Sequence, residues 1–248
     1  MQFSEFCYLS YVYLFSFQLQ EIMKWKTGKR NKIIIPKFDE REYKRTLLPN
    51  LIQTILIHDP KAKTASAALS VGIGSNDNPK KINGLAHLLE HMLFLGSSKY
   101  PDDSELQNLV ELGGGYSNAY TAAEETNYYF VSGGNEFEKA LDIFSWFFRD
   151  PILDSKSIEN EVQNVNSEHR KNMNNDNWKG MSLIKSLADK THTYHDFNTG
   201  NEDTLWNIPL SKGINMSETL RDFYKSHYSA NLMKLVIIGN KTVDELEK

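Results

Sequence analysis

Cysteine is almost absent from this 248-residue sequence, in which Cys7 stands alone. A single cysteine excludes an intrachain disulfide and any zinc site built from several thiolates, and it fits a reducing compartment. An excess of basic residues is also missing, because the net charge is −4. The densest basic cluster, residues 24–32, is interpreted as a solvated flank rather than a phosphate-binding patch. We therefore expect no nucleic-acid partner.

Long hydrophobic runs are missing as well. The most apolar segment, YLSYVYLFSFQL at residues 8–19, is too short to span a bilayer comfortably. It lacks a basic leader and a small-residue cleavage motif, and Glu5 precedes it, so we interpret it as part of an extension. The cytoplasm is the expected compartment, but this segment leaves secretory or organellar targeting open. It gives no firm membrane signal.

Regular hydrophobic patterns begin near residue 43 and continue to the end of the sequence. No repeat or low-complexity linker interrupts them, which predicts an extension of unknown structure at 1–42 and one domain at 43–248, truncated in a helix that starts within TVDELEK. Predicted strands cover 50–59, 66–75, 116–122, 126–132 and 233–239, and the first two are expected to form a hairpin. Predicted helices cover about 86–94, 104–112, 136–148, 155–172, 178–190 and 217–227. The order lacks strict βαβ alternation, which favours an α+β fold with a mixed or antiparallel sheet packed by helices.

The predicted helix AHLLEHMLF, residues 86–94, carries three ionisable groups in an apolar run. His87 and His91 are four residues apart and share one helix face, so both imidazoles can reach one ion. Two imidazoles and a carboxylate are a common ligand set of catalytic zinc. Glu90 could then take a proton from the attacking water, and the order H-x-x-E-H is that of the inverzincins. The other interpretation is a partly buried helix whose histidines pair with backbone or water, but burying three such groups without a partner would be costly.

The third ligand is expected to be a carboxylate on another element. The predicted helix at 155–172 offers Glu161 and Glu168, which share a stripe with Val165 at the edge of its apolar face. Either glutamate could instead be an ordinary solvated charge. Spacing alone does not choose between them.

Three ordered motifs give the sequence a family resemblance. GLAHLLEHMLFLGSSKYP, GGGYSNAYTAAEETNYYF and EVQNVNSEHRKN together resemble the insulin-degrading enzyme and pitrilysin branch of the inverzincin metallopeptidases, a family of the LuxS/M16-like fold. The resemblance implies one Zn²⁺ per chain, held by His87, His91 and Glu168, with Glu90 as the general base. It also implies that Glu161 orients one of the ligands.

The same resemblance implies a binding mode for peptide substrates. The SNAYT stretch is similar to an edge strand on which substrate lies as an added strand, with Asn118 near the scissile bond. The substrate-binding residues implied in this way are Ser117, Asn118, Ala119, Tyr120 and Thr121.

The chain departs from the family pattern in two respects. Members of this branch have four related domains in two halves that enclose a chamber, whereas this chain resembles the first domain. The second half supplies an arginine and a tyrosine that help to hold substrate, and neither has a counterpart here. In addition, residues 1–42 match nothing in the family. We therefore expect the missing homologous domains, or another chain, as partners.

Two other functions stay open on the sequence. The first is a non-catalytic scaffold or partner subunit on the same fold, although degenerate members of the superfamily usually lose the H-x-x-E-H residues that this chain keeps. The second is a subunit like those of the mitochondrial processing peptidase, which the SNAYTAAEETNYYF and NVNSEHRKN motifs disfavour.

Overall fold

The computed structural model describes residues 33–248. Cys7, the apolar segment at 8–19 and the basic cluster at 24–32 lie outside the described residues, so what was predicted for them stays a prediction. Within 33–248, the helices are all too short or too polar to cross a membrane.

Six strands form one mixed sheet in the order β1-β2-β6-β3-β5-β4. The strands are β1 Glu42–Leu47, β2 Gln53–His58, β3 Thr64–Val71, β4 Tyr116–Thr121, β5 Thr126–Gly133 and β6 Met233–Gly239. β2 and β6 run parallel, and the other neighbours pair antiparallel. Helices pack on this sheet, so the predicted α+β class is confirmed.

The predicted hairpin between residues 50–59 and 66–75 is wrong. β6 lies between β2 and β3 and pairs with both of them. β6, from the far end of the chain, can lie between them because β2 and β3 each have backbone N–H and C=O groups free to pair with a neighbouring strand. The side-chain pattern of a strand does not specify which neighbour that will be. β1 was also not predicted as a strand, because its sequence EYKRTL is mostly polar. Polar and charged residues are common in a strand at the edge of a sheet.

Eight helices are found in the described residues. They are α1 Leu85–Leu93, α2 Glu105–Leu112, α3 Phe137–Phe147, α4 Ser155–Asn172, α5 Asp176–Leu187, α6 Ile208–Ser211, α7 Met216–His227 and α8 Val243–Leu246. A π-helical turn, Asp203–Asn207, precedes α6. The Asp154 carboxylate caps α4 by accepting from the amides of Lys156 and Ser157, which satisfies two of the unpaired donors at that helix start.

The core lies between the helices and one face of the sheet. Alternate residues of β5 are buried, as expected for a strand with one covered face. Its Phe130 ring contacts Phe137 and Phe144 of α3, with centroids 5.6 and 5.2 Å apart. The Tyr128 hydroxyl, on the same face, hydrogen-bonds the hydroxyl of Tyr228 at 2.8 Å. These contacts anchor the β4–β5 pair, which borders the site described next.

Two leucines of α2 test this packing. Leu106 is 3% exposed and Leu112 is 79% exposed. We expect Leu106→Ala to lower the free energy of unfolding by about 2–5 kcal/mol, because it leaves a cavity. Leu112→Ala, the matched control on the same helix, should stay within about 0.5 kcal/mol of wild type. Urea unfolding followed by circular dichroism measures both, and equal losses would contradict the placement of α2.

Candidate metal centre

α1 presents His87, Glu90 and His91 toward a cleft while its other face enters the core. Its apolar side chains at 85, 88, 89, 92 and 93 are fully buried. The helix begins after Gly84, whose φ of 92° lies in the left-handed region. The side-chain oxygen of Asn78 accepts from the Ala86 amide at 2.8 Å and so satisfies a donor of the first turn.

The side chains of His87, His91 and Glu168 converge, and within residues 33–248 they form a group whose ligand atoms are close enough to hold one metal ion. The two Nε2 atoms lie 3.3 Å apart. Oε2 of Glu168, from α4, lies 3.5 Å from His87 Nε2 and 3.7 Å from His91 Nε2. Ligand atoms around a tetrahedral zinc, each about 2.0–2.2 Å from the ion, are about 3.3–3.6 Å from one another. The three groups therefore fit such an ion, with a fourth position left for water.

The other ring nitrogen of each histidine has a partner as well. His87 Nδ1 lies 2.8 Å from the Thr199 carbonyl oxygen, and His91 Nδ1 lies 3.1 Å from Oε2 of Glu161. A carbonyl can only accept, so the proton of neutral His87 sits on Nδ1 and its Nε2 lone pair is available to a metal. Glu161 is 9% exposed and also accepts from the side chain of Asn164. Glu168 thus faces both Nε2 atoms, whereas Glu161 lies on the opposite side of the His91 ring.

Thr199 was not predicted from the sequence as a site residue. Its contribution comes from the backbone carbonyl, which no side-chain pattern reports. The loop that carries Thr199, residues 199–204, packs closely against the start of α1. Gly84 and Gly200 both have a positive φ and are in contact there, and a Cβ added to Gly84 would lie 2.3 Å from the Cα of Gly200. Thr204 also donates its hydroxyl to the Asn83 carbonyl at 2.9 Å, which holds the loop against the start of α1.

The ionisable groups of the site lie close enough to shift one another's pKa values. For His91, burial disfavours the charged ring, but the hydrogen bond to Glu161 and the nearby carboxylate of Glu168 outweigh this effect and raise its pKa to about 10. The neighbouring His91 ring lowers the pKa of Glu168. The cluster therefore attracts positive charge, and a metal ion must displace the His91 proton, so metal affinity should fall as the pH falls.

Glu90 lies beside the cluster and is 7% exposed. Its Oε2 accepts a hydrogen bond from the Thr121 hydroxyl at 2.5 Å. Burial raises the pKa of the Glu90 carboxyl above its usual value, and the bond from Thr121 offsets part of that rise. A buried carboxyl with a raised pKa at the edge of a cleft is typical of an acid–base group.

The cleft has a volume of about 700 Å³. One wall is formed by His87, His91 and Glu168. Another is β4, which lies at the edge of the sheet and, within residues 33–248, has β5 as its one neighbouring strand. All five residues predicted to bind substrate line the cleft: Ser117, Asn118, Ala119, Tyr120 and Thr121. The structure therefore brings the two predicted groups of site residues to one place.

The backbone of β4 has free groups on its outer edge. Ala122 donates its amide to the Glu125 carbonyl at 2.8 Å, so these two residues form a hydrogen-bonded pair. Such pairs alternate along antiparallel strands, so the amides of Ser117, Ala119 and Thr121 point away from β5. In agreement, the Ala119 amide donates to the side chain of Asn118 at 2.8 Å. This edge can accept an added strand.

Comparison with known proteins places these features in a family. A family model described as insulinase, peptidase family M16, matches residues 53–191, and one described as the M16 inactive domain matches residues 216–248. The A-factor-processing enzyme of Saccharomyces cerevisiae is 46% identical over 211 residues, 85% of this chain and 20% of that protein. Human insulin-degrading enzyme is 42% identical over 208 residues, 84% of this chain and 20% of that protein.

A solved structure of this peptidase family is also similar to this chain. The crystal structure of pitrilysin superposes with a TM-score of 0.84 at 34% identity, covering 88% of this chain and 23% of that one. The chain spans about a fifth of the length of the curated relatives just described.

Substitution of three glutamates of α4, one at a time, tests which of them binds the metal ion directly. Glu168→Gln should weaken zinc binding by more than about 100-fold, and Glu161→Gln by about 10–100-fold, because Glu161 contacts the far nitrogen of the His91 ring and not the expected position of the ion. Exposed Glu159→Gln, on the same helix, is the matched control and should have no effect. Competition with a chromogenic chelator measures the zinc affinities. A larger loss from Glu161→Gln than from Glu168→Gln would reverse the two roles.

Proposed function

The chain belongs to the insulinase family of peptidases, family M16, and on that premise we propose that it carries the catalytic zinc centre of an endopeptidase. His87, His91 and Glu168 would hold one Zn²⁺, and Glu90 would serve as the general base. The observation that supports this most is the meeting of His87 Nε2, His91 Nε2 and Glu168 Oε2 within 3.7 Å of one another, next to the buried Glu90 on the helix that carries the two histidines.

Glu90 would move protons during hydrolysis. Zinc, when bound, would acidify a water and polarise the peptide carbonyl. Glu90 would take a proton from the attacking water and then deliver it to the leaving nitrogen. Its burial suits this role because a raised pKa brings the carboxyl nearer to neutral pH, where it can both accept and release a proton. Glu161 and the Thr199 carbonyl would keep the two imidazoles aligned.

Peptide substrates would bind along β4. The outward amides of this strand would pair with an extended peptide, which adds a strand at the sheet edge. Such binding uses backbone groups for affinity, so it accommodates many sequences. The side chain of Asn118 would have to release the Ala119 amide when a peptide adds at that position.

The complete enzyme would need more than this chain. Because the chain spans about a fifth of its relatives, we propose that further homologous domains or another chain complete a substrate chamber. A purely structural subunit is less well supported, since such a role does not require Glu90 beside three converging ligands. We therefore expect the chain alone to bind zinc and to cleave peptides weakly or not at all.

Glu90→Gln tests the general base. The variant should bind about one zinc per chain, like wild type, because Glu90 contributes no ligand, and it should lose any residual cleavage. Exposed Glu111→Gln should change neither property. Zinc content is measured by atomic absorption and cleavage with a quenched fluorescent peptide. Absence of zinc from the wild-type protein would refute the metal centre, and rapid Glu90-dependent cleavage would show that no further domain is needed.

Ala119→Pro tests the β4 edge. Proline removes an outward amide without breaking a bond to β5, so it should weaken peptide binding. Ala119→Gly keeps the amide and is the control. Both changes are made in the zinc-loaded Glu90→Gln chain, and affinity is measured by fluorescence anisotropy of an extended, labelled peptide. Equal affinities of the proline and glycine variants would exclude pairing at this position.

A further inference from the structure

The carboxylate of Glu90 needs an anchor besides the helix that carries it. α1 fixes the Cα atom of Glu90, but the side chain has three rotatable bonds, and each of its conformers places the carboxylate differently. The Thr121 hydroxyl supplies a contact at 2.5 Å to one oxygen, Oε2. Thr121 belongs to β4, so the contact joins two elements that are 31 residues apart in sequence.

The direction of this hydrogen bond follows from the neighbouring groups. An ionised carboxylate has no proton to give, so Thr121 must donate. The next hydroxyl, that of Thr126, lies 3.5 Å from the Thr121 hydroxyl and donates its own proton to the Ile73 carbonyl at 2.9 Å. Because Thr126 is fully buried and committed to Ile73, its hydroxyl cannot donate to Thr121. Two acceptors lie within reach of the Thr121 proton, the Glu90 carboxylate at 2.5 Å and the Thr126 hydroxyl at 3.5 Å. The carboxylate is nearer and is the stronger acceptor, so the proton is directed to Glu90.

Thr121 is itself held in a rigid place. It pairs with Thr126 at the last rung of the β4–β5 ladder. The next residue, Ala122, donates to Glu125 and accepts from the Ser75 amide at 2.9 Å. Because hydrogen bonds hold this end of β4 from two sides, the Thr121 hydroxyl can shift little relative to the sheet.

The same residue also borders the proposed substrate. Its backbone groups lie on the outer edge of β4, as alternation along the strand requires, while its side chain reaches Glu90. A peptide that pairs with this edge would therefore lie in a fixed register relative to Thr121, the residue that contacts the proposed general base Glu90.

We propose that Thr121 is a positioning residue for Glu90: its hydroxyl holds Oε2 and leaves Oε1 to receive the proton of the attacking water. This inference rests on the proposed function for its catalytic meaning, but the contact itself can be tested without catalysis. The competing explanation is that the hydroxyl only fills space in the wall of the cleft.

The experiment compares Thr121→Val, which loses the hydroxyl but keeps the branched shape, with Thr121→Ser, which keeps the hydroxyl. Thr64→Val, at an exposed position in β3, is the matched control. Each 248-residue chain is produced with ¹³C at the glutamate side-chain carboxyl. Spectra are recorded at about pH 8, well above the usual glutamate pKa. Glu90→Gln identifies the Glu90 resonance by its loss, and zinc affinity and melting temperature are measured in parallel.

We expect Thr121→Val to shift the Glu90 resonance more than that of any other glutamate. Thr121→Ser should restore it, and Thr64→Val should leave it in place. Zinc affinity should be unchanged in all three, because Thr121 touches no proposed ligand. An unmoved resonance in Thr121→Val, or a shifted one in Thr121→Ser, would overturn the proposal. If the wild-type chain fails to bind zinc, the proposed function fails, whereas the resonance still decides whether Thr121 holds Glu90.

Discussion

The packing of α1 into the core is the interaction on which the site depends. Five apolar residues on one side of this nine-residue helix are completely buried, and each contributes about 1.5–3 kcal/mol relative to exposure. That burial sets the rotation of the helix about its axis. Once the rotation is set, 3.6 residues per turn leave His87 and His91 on the opposite side, facing the cleft. Glu90 lies between the two faces, which explains why it is buried and yet reaches the site.

Around α1, the site is assembled from segments that are distant in the chain. α4 supplies Glu161 and Glu168, and the loop at 199–204 supplies a carbonyl. β4 supplies the hydroxyl of Thr121. Each segment is held by its own scaffold: α4 by its Asp154 cap, the loop by the meeting of Gly84 and Gly200, and β4 by its ladder with β5. Because rigid elements carry the groups, their spacing can match an ion without a large rearrangement.

The arrangement also explains how two glutamates on one helix acquire different environments. Glu161 and Glu168 are seven residues apart, so they point in nearly the same direction but lie about two turns apart along the helix axis. The first meets His91 Nδ1 from deep in the fold at 12% side-chain exposure, and the second meets both Nε2 atoms at the rim at 49%. Their spacing showed the shared stripe but not which of them faces the cleft, and it was the family resemblance that implied Glu168.

Local patterns in the sequence determined most elements: the predicted helix at 155–172 and the strand at 233–239 match α4 and β6 residue for residue. Spacing within one helix likewise determined that His87, Glu90 and His91 lie close together, because that geometry needs no distant contact. Only the tertiary structure decided that β6 separates β2 from β3, that the Thr199 carbonyl meets His87, and that Thr121 contacts Glu90. Between Glu161 and Glu168, spacing alone did not choose and the family resemblance implied Glu168, which in the structure faces both Nε2 atoms. These features depend on which distant segments meet, and hydrophobic periodicity records the face that a segment buries but not the partner that covers it.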